Sequence, residues 1–169
     1  MQLKGNRVMV MPFNADEVFE MAEQIERNGA KFYRAAAEKF PKLRQLFSEL
    51  AAMEDEHEKT FAAMRAEFSG TEVEPPVFDP DGQAQMYLRV MADEHVFNIK
   101  ADPLEQLAGQ ETPEDVLKTA IGLEKDSIAF YVGLKESVSR KAGKDKVEAI
   151  IKEEIGHIAT LSQKLDTLK

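Results

Sequence analysis

The sequence predicts an all-α protein, a four-helix bundle made of two antiparallel hairpins joined by a long crossover with short helices of its own. Three observations predict it. Apolar residues recur at helical spacing in four long stretches. Capping residues and proline or glycine breaks punctuate those stretches at their ends. The two halves of the chain also repeat each other at positions that carry ionisable side chains. No run alternates apolar and polar residues over strand length, apart from a short apolar arm at Val8 to Met11.

Asn14, with Glu17 three residues on, makes a capping box for the first helix. Val18, Met21, Ala22, Ile25, Gly29, Phe32, Tyr33 and Ala36 form its inward stripe, and it ends before Pro41. A second helix carries Leu43, Leu46, Phe47, Leu50, Met53, His57, Phe61 and Met64, and Ser69-Gly70 stops it. Residues 71–82 hold three prolines and read as a connector. Asp79-Pro80 opens a medium helix of roughly 80–97, and Asp102-Pro103 a shorter helical turn. Thr112-Pro113-Glu114-Asp115 starts the third long helix, which carries Val116, Ala120, Leu123, Ile128, Tyr131 and Leu134. Ala142-Gly143 breaks it, and the last helix, about 144–168, carries Val147, Ile150, Ile151, Ile155, Ile158, Leu161 and Leu165. The expected organisation is a single domain over 1–169: hairpin 14–69, crossover 70–111 and hairpin 112–168.

Composition narrows the function. A chain of 169 residues can bury its own core. Its net charge of −9 argues against nucleic acid and anionic membranes as partners. With no cysteine, disulfides, thiol nucleophiles, zinc ribbons and Cys-ligated iron centres are excluded. No stretch reaches the ~18–20 apolar residues of a membrane helix. The Val8–Met11 run is too short for a secretory signal, so a cytoplasmic location is expected.

The repeat carries the chemistry. Ile25-Glu26 and Phe32-Tyr33 return as Leu123-Glu124 and Phe130-Tyr131, each 98 residues later. Glu54-Asp55-Glu56-His57 returns as Glu154-Ile155-Gly156-His157, 100 residues later. Glu54 and His57, three apart, share a helix face. The midpoint of Glu26 and Glu54 is residue 40, beside the Pro41 turn. Both carboxylates therefore stand at one height, roughly 21 Å from the turn at 1.5 Å per residue. Glu124 and Glu154 are likewise roughly level, their midpoint at residue 139 lying near the Gly143 break. Two such hairpins bring Glu26, Glu54, His57, Glu124, Glu154 and His157 around one point. Glutamate and histidine mixtures suit Fe(II)/Fe(III) or Mn(II), and cations would offset the repulsion of buried carboxylates.

This constellation resembles the rubrerythrin family of the ferritin-like di-iron superfamily, across residues 14–69 and 112–168. The resemblance implies a ferritin-like four-helix bundle holding two iron ions, with manganese or zinc as substitutes. It implies one histidine per metal, terminal ligation by Glu26 and Glu124, and bridging by Glu54 and Glu154; spacing alone does not choose the bridging pair. Tyr33 and Tyr131, each seven residues after a glutamate, are placed to donate a hydrogen bond to a carboxylate of the opposite hairpin. Two departures stand out. The four-cysteine rubredoxin-like tail of rubrerythrins proper is absent, and Ser127 stands where they carry an extra glutamate. Each metal is therefore expected to keep its histidine in both redox states, in a nearly two-fold symmetric site. Gly29, the repeat partner of Ser127, offers no ligand either.

The activity implied is reduction of hydrogen peroxide or dioxygen. With no cysteine, electrons must come from an external donor such as a rubredoxin or flavoprotein. A ferroxidase or iron-binding module and a metal-free helical interaction protein are the alternatives, and a homodimer is the implied assembly. His95 in the crossover reads as a packing or surface histidine, Glu94 beside it as solvated, and the methionines as gap-fillers. Glu20, Glu23, Glu56 and Glu153 read as solvent charges off the inward face.

Overall fold

Asn14 opens the first helix as its sequence requires. Its side chain accepts from the Glu17 amide while the Glu17 carboxylate accepts from the Asn14 amide, which closes the capping box. The computed structural model describes residues 13–68, 81–94, 102–109 and 112–168. Helix α1 spans Ala15–Lys39. A single 3₁₀ turn, Pro41–Leu43, leads directly into α2, Arg44–Phe68. Proline at the start of that turn has no amide to leave unsatisfied. Helix α3, Gln83–Glu94, and a 3₁₀ segment, Pro103–Leu107, lie in the crossover. Asp102 caps the latter by accepting from the Leu104 amide at 3.0 Å. Helix α4, Pro113–Ser137, begins with a Thr112–Asp115 capping box, and α5 spans Lys144–Asp166. There is no strand among the described residues. The arm at 8–11, the connector through Pro80 and His95 lie outside them, as do residues 69–70.

The second hairpin's connection, Val138 to Gly143, is two residues longer than Phe40 to Leu43, which accounts for the repeat offset changing from 98 to 100. Gly143 ends that connection with φ +99°, a conformation that costs glycine little. A Cβ there would also stand 2.7 Å from the Met64 terminal methyl.

Each hairpin packs along its own length, and the two meet face to face. The inward stripes form one core. Phe19, Ile25, Phe32, Phe47, Phe61, Phe130 and Leu161 are buried there with Tyr33 and Tyr131. The two Phe-Tyr pairs repeat as the sequence does, and each tyrosine then packs on a phenylalanine of α2. Tyr33 stacks on Phe47 at 5.8 Å and meets Phe32 edge-on; Tyr131 sits against Phe61 at 5.1 Å and meets Phe130 edge-on. Helix α3 lies on α4, where Gly133 admits the Tyr87 ring; a Cβ there would fall 2.5 Å from it. The Tyr87 hydroxyl donates to the Ala129 carbonyl at 2.7 Å. The Pro103–Leu107 turn is held to α1 by Lys39, which donates to the Leu107 carbonyl, and by the Lys31–Asp102 ion pair.

Two apolar positions depart from the inward stripe. Met53 is 47% exposed and Ile155 54% exposed. Each adjoins a buried glutamate, Glu54 or Glu154, and one residue of helix turns a side chain about 100° away from its neighbour. Helices of different hairpins also lie farther apart than those within one, so nothing covers these flanks among the described residues.

Candidate metal centre

Six ionisable side chains meet at mid-height in the core. Glu26, Glu54, Glu124, Glu154, His57 and His157 are all buried, Glu26 and Glu154 completely. Helix α1 supplies Glu26 and α2 supplies Glu54 and His57; α4 supplies Glu124, and α5 supplies Glu154 and His157. They form two overlapping groups whose ligand atoms lie within 4.8 Å of one another: Glu26, Glu54, His57 and Glu154, and Glu54, Glu124, Glu154 and His157. Glu54 and Glu154 belong to both. Glu154 spans the pair directly, with Oε1 3.0 Å from His57 Nδ1 and Oε2 2.8 Å from His157 Nδ1. The two imidazole rings lie nearly parallel, 5.7 Å apart.

These groups are close without being hydrogen-bonded to one another in good alignment. Glu26 Oε2, Glu54 Oε1, both Glu154 oxygens and both histidine Nδ1 atoms are buried without an aligned partner. Orphaned buried polar atoms are costly, and here they converge on a common centre. Four carboxylates carry four negative charges, which two divalent cations would neutralise. Oxygen and imidazole donors suit iron, manganese or zinc. Gly29 makes room for this arrangement, since a Cβ there would stand 3.0 Å from Glu54 Oε2. We expect Gly29→Ala to push the Glu54 carboxylate aside and weaken metal uptake by about tenfold, with helix content retained; calorimetric titration with Mn(II) reads the affinity.

The protonation pattern reflects the crowding. Burial, then neighbouring carboxylates, raises Glu26 to about 8 and holds Glu54 and Glu124 well above the usual range. Burial opposes charge on the histidines, but the carboxylates outweigh it, raising His57 to about 9 and His157 to about 12. Glu154 goes the other way, to about 2, because the imidazoles on its two oxygens overcome its burial.

Tyr33 and Tyr131 reach across the bundle. The Tyr33 hydroxyl donates to Glu124 Oε1, and the Tyr131 hydroxyl donates to Glu26 Oε1. Each hairpin thus holds the other's carboxylate, as the sequence suggested. Burial and the adjacent carboxylates raise both phenols far above their ordinary value, so they remain donors. Ser127 is buried, and its hydroxyl donates to its own helix at the Leu123 carbonyl, 3.1 Å away. It is spent there and adds no anionic donor to the cluster.

One of the four glutamates read as solvent charges is not, and a second faces solvent but also touches the cluster. Glu23 is only 7% exposed, because Arg27 at 3.3 Å and Arg65 at 3.5 Å clamp its carboxylate between α1 and α2. Glu153 is exposed, yet its Oε2 lies 2.8 Å from His57 Nε2. Glu20 and Glu56 do face solvent, paired with Arg65 and Lys59. The symmetry expected of the site holds for which residues form the two groups but not for the contacts within them: Glu154 meets both histidines, whereas its repeat partner Glu54 pairs with His157 alone among the described residues, and the difference continues one step outward. His157 Nε2 meets the Met53 sulfur at 3.1 Å where His57 meets a carboxylate.

A two-hairpin helical bundle closed around buried carboxylates and imidazoles defines the ferritin-like class. The chain belongs to the rubrerythrin family, whose pattern it matches over residues 17–165. Its fold is similar to a crystal structure described as a ferritin-like diiron-carboxylate protein from Thermotoga maritima. The TM-score is 0.70 at 26% identity, over 95% of this chain and 99% of that one. None of the curated proteins compared with it matches the chain. No described helix is long and apolar enough to cross a membrane.

Proposed function

We propose that the chain is a di-iron carboxylate protein that reduces hydrogen peroxide or dioxygen with electrons from an external donor. The observation that carries this reading is the pair of overlapping groups sharing Glu54 and Glu154. That sharing is what two adjacent metal ions need from bridging carboxylates, while Glu26 with His57 and Glu124 with His157 would serve one ion each. When bound, two ferrous ions would supply the two electrons that reduce hydrogen peroxide to water, or dioxygen to peroxide.

The remaining work falls to the protein. Tyr131 and Tyr33 fix the outer carboxylates, Glu26 and Glu124, by hydrogen bonds from the opposite hairpin. The apolar shell excludes bulk water, which strengthens each electrostatic contact inside. With no thiol in the chain, reducing equivalents must arrive from a separate protein such as a rubredoxin or flavoprotein.

Anaerobically iron-loaded protein mixed with hydrogen peroxide and a chemical reductant tests the activity. We expect peroxide to be consumed over many turnovers with about two iron ions retained per chain. Single-turnover oxidation followed by accumulation of a ferric mineral would instead make iron the substrate and the protein a ferroxidase.

A further inference from the structure

The six residues of the inner cluster repeat in kind between hairpins, whereas the residues behind the two imidazoles do not. Glu153 and Met53 occupy equivalent positions, each immediately before the glutamate of its Glu-x-x-His pair and 100 residues apart. Each reaches the outward nitrogen of the histidine on the other hairpin. Glu153 Oε2 lies 2.8 Å from His57 Nε2, and the Met53 sulfur lies 3.1 Å from His157 Nε2. Both imidazoles point Nδ1 into the cluster, His57 toward Glu26 and Glu154, His157 toward Glu54, Glu124 and Glu154.

A neutral imidazole that ligates through Nδ1 carries its proton on Nε2. A carboxylate accepting that proton fixes the tautomer and ring orientation, and makes Nδ1 the stronger donor. A thioether is a weak acceptor and does so far less. We propose that Glu153 and Met53 make the two metal positions unequal, with the half containing Glu26 and His57 taking up the first metal ion and the half containing Glu124 and His157 the second. Both are positioning residues that act through the histidines. The Glu153 side chain is 59% exposed, so water competes for its carboxylate and the effect belongs at the low end of such interactions, about tenfold in affinity. This inference rests on the two-metal reading above.

Anaerobic titration of the full chain with Co(II) tests it, because cobalt absorption reports the ligand field as well as occupancy. We expect wild type to bind two cobalt ions in two resolved steps with different spectra. Glu153→Gln should weaken the first step about tenfold and leave the second nearly unchanged. Met53→Glu, which installs the carboxylate found at the repeat position, should strengthen the second step about tenfold and bring the two spectra together. A merely structural role for either side chain predicts no such gain. Both positions are exposed, so the variants should fold, and circular dichroism checks that they do. Two equivalent steps in wild type, equal weakening of both steps by Glu153→Gln, or no change in Met53→Glu would each overturn the inference while leaving the two-metal centre intact. A chain that takes up no cobalt would overturn the two-metal reading itself, and this inference with it.

Discussion

Glu154→Ala should empty both metal positions, whereas Glu26→Ala should empty one. Glu154 lies in both groups and presents one oxygen to each histidine, at 3.0 and 2.8 Å. Glu26 lies in the His57 group alone. Removing a carboxylate common to both positions strips a donor from each and leaves three negative charges for two divalent ions. We expect affinity at both positions to fall by about 100-fold or more, beyond the ~10–100-fold typical of losing a side chain that only supports a ligand. Glu26→Ala should release about one equivalent and keep the other. Helix content should survive in both variants, because the capping boxes and apolar stripes that build the hairpins are untouched. Metal analysis after gel filtration, with circular dichroism alongside, checks both. Equal losses in the two variants would remove the distinction between shared and private carboxylates.

The chelated protein should lose stability as the pH rises from about 4.5 toward 9, and metal loading should abolish that loss. Folding raises the Glu26 carboxyl from 4.5 to about 8 and moves Glu54 and Glu124 the same way. Through this window the folded chain binds more protons than the unfolded chain, so stability falls as pH rises. His57 and His157, raised from 6.5 to about 9 and about 12, act in the same direction: their contributions are complete below 6.5 and are lost as the pH rises through those values. Glu154 opposes them only at the acid end, since its contribution is present above 4.5 and is lost as the pH falls toward 2. Each unmatched proton changes stability by about 1.4 kcal/mol per pH unit, so Glu26 alone implies a decline of about 3–4 kcal/mol between pH 5 and 8, and the other raised groups add to it. Bound cations replace those protons, so metal uptake should release protons and tighten with pH. Urea unfolding at several pH values, with and without Mn(II), measures this. A chelated protein that gains stability toward pH 8 would show that the carboxylates are not crowded as described.

Most of the hairpin architecture was legible because each boundary has a local cause. Asn14 with Glu17, and Thr112 with Asp115, are capping boxes visible three residues apart, and Pro41 and Gly143 mark the turns. The six cluster residues were legible because the repeat fixes their height and face. The tyrosine contacts followed from the same register. Glu23 was missed because its second partner, Arg65, lies on the neighbouring helix 42 residues away, and only the packing of α1 on α2 brings them together. Glu153 was missed for a related reason. A residue beside a cluster glutamate points outward on its own helix, and only the approach of α5 to α2 carries it to His57. Met53 fits the spacing of a core stripe, yet the separation of the hairpins leaves its sulfur against His157 and half its surface in solvent.

If the two hairpins assemble one two-metal centre from six side chains, both ions must lie among those six. Anomalous scattering from crystals grown with Fe(II) or Mn(II) tests it most directly. We expect two peaks per chain about 3.5–4 Å apart, with Glu54 and Glu154 touching both, Glu26 and His57 one, and Glu124 and His157 the other. A single isolated ion, or ions bound by residues outside these six, would contradict it.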